Sequence, residues 1–144
     1  MRILGIDYGE ARVGIAVTDP LNITAQGLET IQRNGSDKVI LKRLDEIFKT
    51  YEVDTIVVGM PLNMDGTISE RAKITEEFVH KLKCKYNKFK IEIIDERLTT
   101  VEAHKTMIFL DINKNKKKNI VDTISAVYIL ETYLNKLKNT LQNN

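Results

Sequence analysis

The chain has 144 residues, of which 42% are hydrophobic and 29% charged, a composition typical of one folded domain. This length supplies a hydrophobic core without covalent staples, and the single cysteine, Cys84, excludes an internal disulfide. With 22 basic and 20 acidic residues, the formal net charge of +2 excludes a strongly basic or acidic chain. No leader peptide and no membrane-length apolar segment is evident, so we expect a cytoplasmic protein with no membrane partner.

Three segments at the start of the chain predict β-strands. Residues 2–7 and 12–18 are rich in Ile and Val, and the short turn between them contains Gly9, which is typical of a hairpin. Residues 24–32 predict a third strand, because turn-forming residues precede and follow this segment.

Helices and strands then alternate. Ser36 is a candidate N-cap for a first helix with apolar side chains at helical spacing. Residues 54–59 form an apolar run typical of a strand covered on both faces, residues 69–86 predict a second helix, and residues 91–95 predict a last strand. This order predicts an α/β fold with one mixed sheet and helices packed on it.

The C-terminal third is predicted to be helical on either side of one loop. Thr99 or Thr100 caps a third helix, the Asn- and Lys-rich residues 113–119 form a loop, and a final helix runs from about 120 to 139. We expect one domain over residues 1–144, with a flexible tail from about residue 140.

Acidic residues occur at strand ends and at the start of the final predicted helix. Asp7 ends the first strand, Asp95 and Glu96 end the last strand, and Asp122 lies in the first predicted turn of the final helix. Ligands of open α/β sheets gather at the carboxyl ends of the strands. Because side chains alternate along a strand, only one of Asp95 and Glu96 is expected on the same face as Asp7.

Converging carboxylates repel one another, and divalent cations relieve that repulsion. Mg²⁺ binds a few carboxylates together with waters and phosphate oxygens, and two such ions activate a water and stabilise the departing oxygen of a phosphodiester. A lysine cluster before Asp122 would hold a phosphate backbone. Its members are Lys114, Lys116, Lys117 and Lys118.

Each of these features also has a simpler interpretation. Taken singly, a strand-end aspartate is a turn residue or helix cap, Glu96 and Arg97 form a surface ion pair, and the lysines belong to a solvated loop. Only the combination of the three acids in this topology favours a metal-dependent nuclease.

Four motifs resemble the YqgF family, also called Holliday-junction-resolvase-like or pre-16S rRNA nuclease. They are Gly5-Ile6-Asp7-Tyr8-Gly9 with Arg12 and Gly14, residues 59–67, Asp95-Glu96-Arg97-Leu98-Thr99-Thr100, and Val121-Asp122 before an Ala-containing helix. The resemblance spans the whole chain in order. It implies an RNase H-like fold, with a mixed five-stranded sheet whose first three strands are antiparallel and which is flanked by helices.

The resemblance also implies a site. The acidic triad of the family falls on Asp7, Glu96 and Asp122, which would hold Mg²⁺ or Mn²⁺ in a two-ion centre. Arg12 and Arg97 occupy motif positions near that site, as contacts to nucleic acid. The family is associated with trimming the 5′ end of pre-16S rRNA, so the implied partners are structured RNA and ribosomal precursor particles.

Three alternatives to an RNA nuclease are consistent with parts of this pattern. A Holliday-junction resolvase would cut branched DNA, and resolvases of related fold act as dimers, whereas we expect a monomer or a weak homodimer. A non-catalytic nucleic-acid-binding module is disfavoured by the presence of all three acids. Actin-like ATPases share the Gly-Ile-Asp-x-Gly pattern, but they duplicate this domain around a cleft that 144 residues cannot form.

Overall fold

The computed structural model describes residues 1–63, 65–96 and 114–142, and within the last range it describes side chains for residues 123–141. The strands are β1 (Arg2–Tyr8), β2 (Arg12–Thr18), β3 (Ala25–Gln32), β4 (Val53–Met60) and β5 (Lys90–Asp95). The helices are α1 (Asp37–Thr50), α2 (Glu70–Lys85) and α3 (Lys114–Gln142). The helix predicted after Thr99 or Thr100 lies outside the described residues.

The five strands form one sheet in the order β3-β2-β1-β4-β5. The first three strands are antiparallel neighbours, and β4 pairs in parallel with both β1 and β5. A parallel neighbour requires a crossover, and the segments that contain α1 and α2 provide the connections into β4 and β5. The predicted mixed five-stranded sheet with an antiparallel first half is confirmed.

Alternation along β1 divides the core between the two faces of the sheet. Leu4, Ile6 and Tyr8 belong to the larger cluster, which includes the buried side chains of α1 and α2. Ile3 belongs to a second cluster with the buried side chains of α3. We call the side of the second cluster the α3 face, and Asp7 lies on it because it is four residues from Ile3 in the same strand.

Helix α3 crosses the α3 face diagonally at close range. An ideal Cβ built on Gly27 of β3 would lie 3.1 Å from Thr123 Cβ, and one built on Gly5 of β1 would lie 3.0 Å from the carbonyl oxygen of Ala126. Further along the helix, Ile129 lies against Gly59 of β4, and Ile129, Leu130 and Tyr133 share a cluster with Ile94 of β5. Glycines therefore set how closely α3 approaches the sheet.

The start of α3 corrects the sequence prediction. The loop predicted at residues 113–119 is wrong from Lys114 onward, because α3 begins there rather than near residue 120. The apolar periodicity starts only at Ile120, but lysine favours helix and no Gly or Pro interrupts residues 114–142. Asp122 consequently lies in the third turn of α3 rather than in the first predicted turn, away from the positive end of the helix dipole.

At the opposite end, α3 continues to Gln142 and includes the first residues of the predicted tail. Among the described helices, none combines the length and the apolar character that crossing a membrane requires.

Candidate active site at the carboxyl edge of the sheet

Asp7 lies on the α3 face near the carboxyl end of β1 and is partly exposed. Its partner across the antiparallel pair with β2 is Gly14. On the other side, the register of Ile6 with Val58 brings Gly59 of β4 alongside Asp7, at the strand spacing of about 4.8 Å. Asp7 is therefore flanked on both neighbouring strands by residues without side chains.

Glu96 follows β5 directly and shares the alternation of Ile94, which is buried in the cluster of the α3 face. An ideal Cβ on Gly59 would lie 2.6 Å from Glu96 Oε1 and 3.0 Å from Glu96 Cγ. The Glu96 side chain thus lies over Gly59, the residue beside Asp7. The two carboxylates share one face and one edge of the sheet.

Asp95 precedes Glu96 and therefore lies on the opposite face of the sheet. It ends β5, where its backbone is level with Met60 of β4, and Met60 is buried. Of the two neighbouring acids, Glu96 is therefore the one on the same face as Asp7, as alternation along a strand requires.

The structure describes the other predicted site residues to different extents. Arg12 begins β2 and is partly exposed, and its carbonyl oxygen accepts a hydrogen bond of 3.0 Å from the Gly9 amide across the turn. The backbone of Asp122 lies in α3, next to Thr123, and its side chain lies outside the described part. Arg97 lies outside the described residues. The lysines predicted to contact nucleic acid lie in the first two turns of α3, where the structure describes only their backbone. They are Lys114, Lys116, Lys117 and Lys118.

The turn between β1 and β2 stands at the same edge as Asp7. An ideal Cβ on Gly9 would lie 2.5 Å from the Arg12 carbonyl oxygen, so only glycine allows the turn to close this tightly. Close to this edge, the loop after β4 is closed by the Asn63 amide, which donates to the Thr67 carbonyl at 3.0 Å. Gly66 in this loop has φ of +88°, which favours glycine.

Tyr8 follows Asp7 and points to the opposite face. Burial raises the pKa of the Tyr8 hydroxyl far above its ordinary value, and the hydrogen bond to the Asp37 carboxylate adds to that effect. At neutral pH the hydroxyl therefore stays protonated and donates to Asp37.

Gly59 is a further residue of the site, beyond the acidic and basic residues that the sequence motifs indicate. Its signal is a glycine near the end of the otherwise apolar strand segment Thr55-Ile56-Val57-Val58, because a glycine inside a strand often marks a close approach by another group.

Asp7 and Glu96 offer oxygen donors of the kind that Mg²⁺ prefers, and Mg²⁺ is commonly held by one or two carboxylates with waters and substrate phosphates. Within residues 1–63, 65–96 and the described side chains of α3, no group of three or more His, Cys, Asp and Glu side chains stands ready to hold a metal ion. The described pair fits a hard divalent cation that shares its shell with substrate oxygens.

The fold is the RNase H-like fold of the RuvC resolvases. The structure of Thermus thermophilus RuvC in complex with Holliday junction substrate aligns with a TM-score of 0.56 at 11% identity, over 95% of this chain and 96% of RuvC. The structure of the fowlpox virus Holliday junction resolvase aligns with a TM-score of 0.52 at 16% identity, over 95% of this chain and 99% of that chain. At these identities the likeness establishes the fold alone.

The chain belongs to the RuvX family, described as Holliday junction resolvase, whose model matches residues 1–136. A protein from Ruminiclostridium cellulolyticum is 53% identical over 95% of this chain and 96% of its own length. A protein from Acetivibrio thermocellus is 51% identical over 93% of this chain and 95% of its own length. Both are named "Putative pre-16S rRNA nuclease". The predicted family is confirmed, and it is a family of nucleases.

Proposed function

We propose that the protein is a divalent-metal-dependent nuclease that processes the 5′ end of pre-16S rRNA. The observation that carries this proposal is the Glu96 carboxylate over Gly59, on the face and edge that carry Asp7. Relatives about half identical over nearly the whole chain, and named for pre-16S rRNA, support RNA as the substrate.

In this proposal Asp7, Glu96 and Asp122 hold Mg²⁺ or Mn²⁺ in a two-ion centre. The bound ions would supply an activated water and stabilise the departing 3′ oxygen of the phosphodiester. Asp7 lies on β1 and Glu96 directly follows β5, so paired strands support the backbone at or beside both acids.

The basic residues would bind the substrate rather than react with it. Arg12 and Arg97 stand next to the acidic motifs in sequence and would contact phosphates near the scissile bond. The lysines in the first turns of α3 would bind the RNA backbone further from the cut, through contacts that do not depend on base sequence.

The test is cleavage of a labelled pre-16S leader by wild-type protein and by Asp7→Asn, with Mg²⁺, with Mn²⁺ and with a chelator. We expect the variant to lose cleavage and to keep its fold, because Asn preserves the shape but removes the charge that binds the ion. Asp54→Asn is the matched control, since Asp54 lies exposed at the opposite end of β4. An active Asp7→Asn variant would refute the assignment.

A Holliday-junction resolvase is the second candidate, favoured by the description of the family model. Symmetric cutting of a four-way junction needs two sites, whereas we propose a monomer or a weak homodimer. Incubating four-way junction DNA beside the RNA, with sedimentation of the protein alone and with each substrate, separates the two candidates. Cleavage of the junction by a stable dimer, with the RNA left intact, would favour the resolvase. A third candidate, the non-catalytic binding module, requires that calorimetry detects no divalent-metal binding.

A further inference from the structure

We infer that Asp37 is a positioning residue for Asp7, because its carboxylate anchors Tyr8 and the β1–β2 turn from the face opposite the proposed site. This inference rests on the proposed function, since it states how that site is held in shape. Asp37 lies 30 residues from Asp7 in sequence, outside the motifs that indicate the family.

The Asp37 carboxylate binds donors from three parts of the fold. Asp37 is the first residue of α1, and only 8% of it is exposed. Its Oδ1 accepts hydrogen bonds from the Tyr8 hydroxyl and from Arg33 Nε, the latter at 2.9 Å. Its Oδ2 accepts a hydrogen bond of 2.8 Å from Lys81 Nζ of α2. Because a buried carboxylate is costly without such partners, all three donors are drawn to one point.

Tyr8 is held on its ring as well as at its hydroxyl. The ring stacks on Phe78 of α2, with centroids 4.2 Å apart and planes 16° apart, and the Arg33 guanidinium carbon lies 5.5 Å from the ring centroid. Fixing residue 8 of a strand on one face sets the direction of residue 7 on the other. The orientation of Asp7 is therefore determined in part by contacts made behind the sheet.

Arg33 extends the same cluster to the turn. Its backbone amide donates to the Ala11 carbonyl at 2.9 Å, and its Nη1 donates to the Glu10 carbonyl at 3.3 Å. The turn between Asp7 and Arg12 is thus tied to Asp37 through Arg33. A loss of the Asp37 charge would release Tyr8 and this turn together.

A trio at Asp45 repeats part of this cluster, with an aspartate bound to a tyrosine hydroxyl and a lysine ammonium but to no arginine. The Tyr86 hydroxyl donates to Asp45 Oδ1 at 2.8 Å, and Lys85 Nζ donates to Asp45 Oδ2 at 2.8 Å. It likewise joins α1 to the end of α2, but Asp45 lies two helical turns beyond Asp37, and the trio contains no residue of β1. This trio serves as a partial control for effects that are only structural, because Asp45 is 44% exposed against 8% for Asp37 and has one donor fewer.

The experiment compares Asp37→Asn and Tyr8→Phe with Asp45→Asn and Tyr86→Phe. For each protein we would measure kcat and KM on the pre-16S leader, the Mg²⁺ concentration for half-maximal activity, Mg²⁺ affinity by calorimetry, and Tm. We expect Asp37→Asn to lower kcat by about 10- to 100-fold, because small displacements of a reacting group are costly, and to weaken Mg²⁺ binding with little change in KM. Tyr8→Phe should change the same quantities in the same direction by less, and the control pair should alter Tm alone.

Wild-type kcat and Mg²⁺ affinity in Tyr8→Phe and in folded Asp37→Asn would overturn the inference, as would equal losses in the control pair. If Asp37→Asn does not fold, Tyr8→Phe decides the matter, since it keeps the aromatic stack and removes only the hydroxyl. The proposed function fails separately, when Asp7→Asn still cleaves, and the inference then fails with it.

Discussion

The Glu96 carboxylate lies directly over Gly59, so that any side chain at residue 59 would compete with it for space. The β4 backbone at Gly59 is ordinary strand, paired with Ile94 of β5. The glycine is therefore required by what lies above it rather than by its own conformation.

Gly59→Ala is expected to separate activity from stability. The new methyl group would lie 2.6 Å from Glu96 Oε1 and 2.5 Å from Ile129 Cδ1, so both side chains must move. We expect cleavage of the pre-16S leader to fall by about 100-fold, since the carboxylate is displaced. The free energy of unfolding should fall by only about 1–3 kcal/mol, as is usual for overpacking. Cleavage kinetics and urea denaturation measure the two effects, and wild-type cleavage in this variant would contradict the placement of Glu96.

Two neighbouring acids provide an internal comparison. Glu96 lies on the same face of the sheet as Asp7, and Asp95 lies on the opposite face. We expect Glu96→Gln to abolish metal-dependent cleavage and Asp95→Asn to retain most of it, in assays at equal protein concentration. The reverse order of activities would mean that Asp95, not Glu96, serves the site.

The lysines at the start of α3 are expected to act through phosphate contacts. Each contact adds about 0.7 to 0.9 to the slope of log binding constant against log salt concentration. A variant with glutamine at all four positions should therefore bind the RNA leader with a shallower slope, measured by fluorescence anisotropy. The positions are Lys114, Lys116, Lys117 and Lys118. A double variant of the exposed residues Lys83 and Lys88 is the control, and equal slopes in all three proteins would exclude this role.

The stability contributed by Asp37 should depend on pH in a defined direction. Burial alone would raise the pKa of this carboxyl, but hydrogen bonds from Lys81, Tyr8 and Arg33 outweigh burial and leave the pKa below its ordinary value of 3.8. Because the folded-state pKa is the lower one, the ionised group stabilises the folded protein above pH 3.8, and this contribution is lost as the pH falls below that value.

Wild-type protein and Asp37→Asn should therefore differ most in free energy of unfolding near neutral pH. The difference should shrink as the pH falls below 3.8, where the carboxyl protonates first in the unfolded state, and should be lost once it also protonates in the folded state at its lower pKa. Urea titrations at pH 7 and pH 3 measure it. A difference that stays constant over this range would mean that the charge of Asp37 contributes nothing to stability.

Much of the fold follows from local sequence patterns. Apolar runs, and for β3 the flanking turn residues, locate all five strands to within one residue at each end. Ser36 was predicted to cap α1, and its Oγ accepts a hydrogen bond from the Lys38 amide at 3.2 Å. Because side chains alternate along a strand, only one of Asp95 and Glu96 can lie on the same face as Asp7, and the family motifs identify it as Glu96.

Other features depend on contacts that no local pattern reveals. Lys81 and Asp37 are 44 residues apart in sequence, and neither lies in a motif. The start of α3 was placed too late because its first turns carry polar residues and so show no apolar periodicity. A glycine inside a strand signals a close approach, but only the parallel register shows that Gly59 lies beside Asp7.

The alternation of β1 has a consequence for how this enzyme could fail. If β1 slipped by one residue against β4, Asp7 would enter the apolar layer beneath α1 and α2, and Tyr8 would face α3. Such a molecule would be unstable and would also lack its acidic pair, because the same pairing decides both.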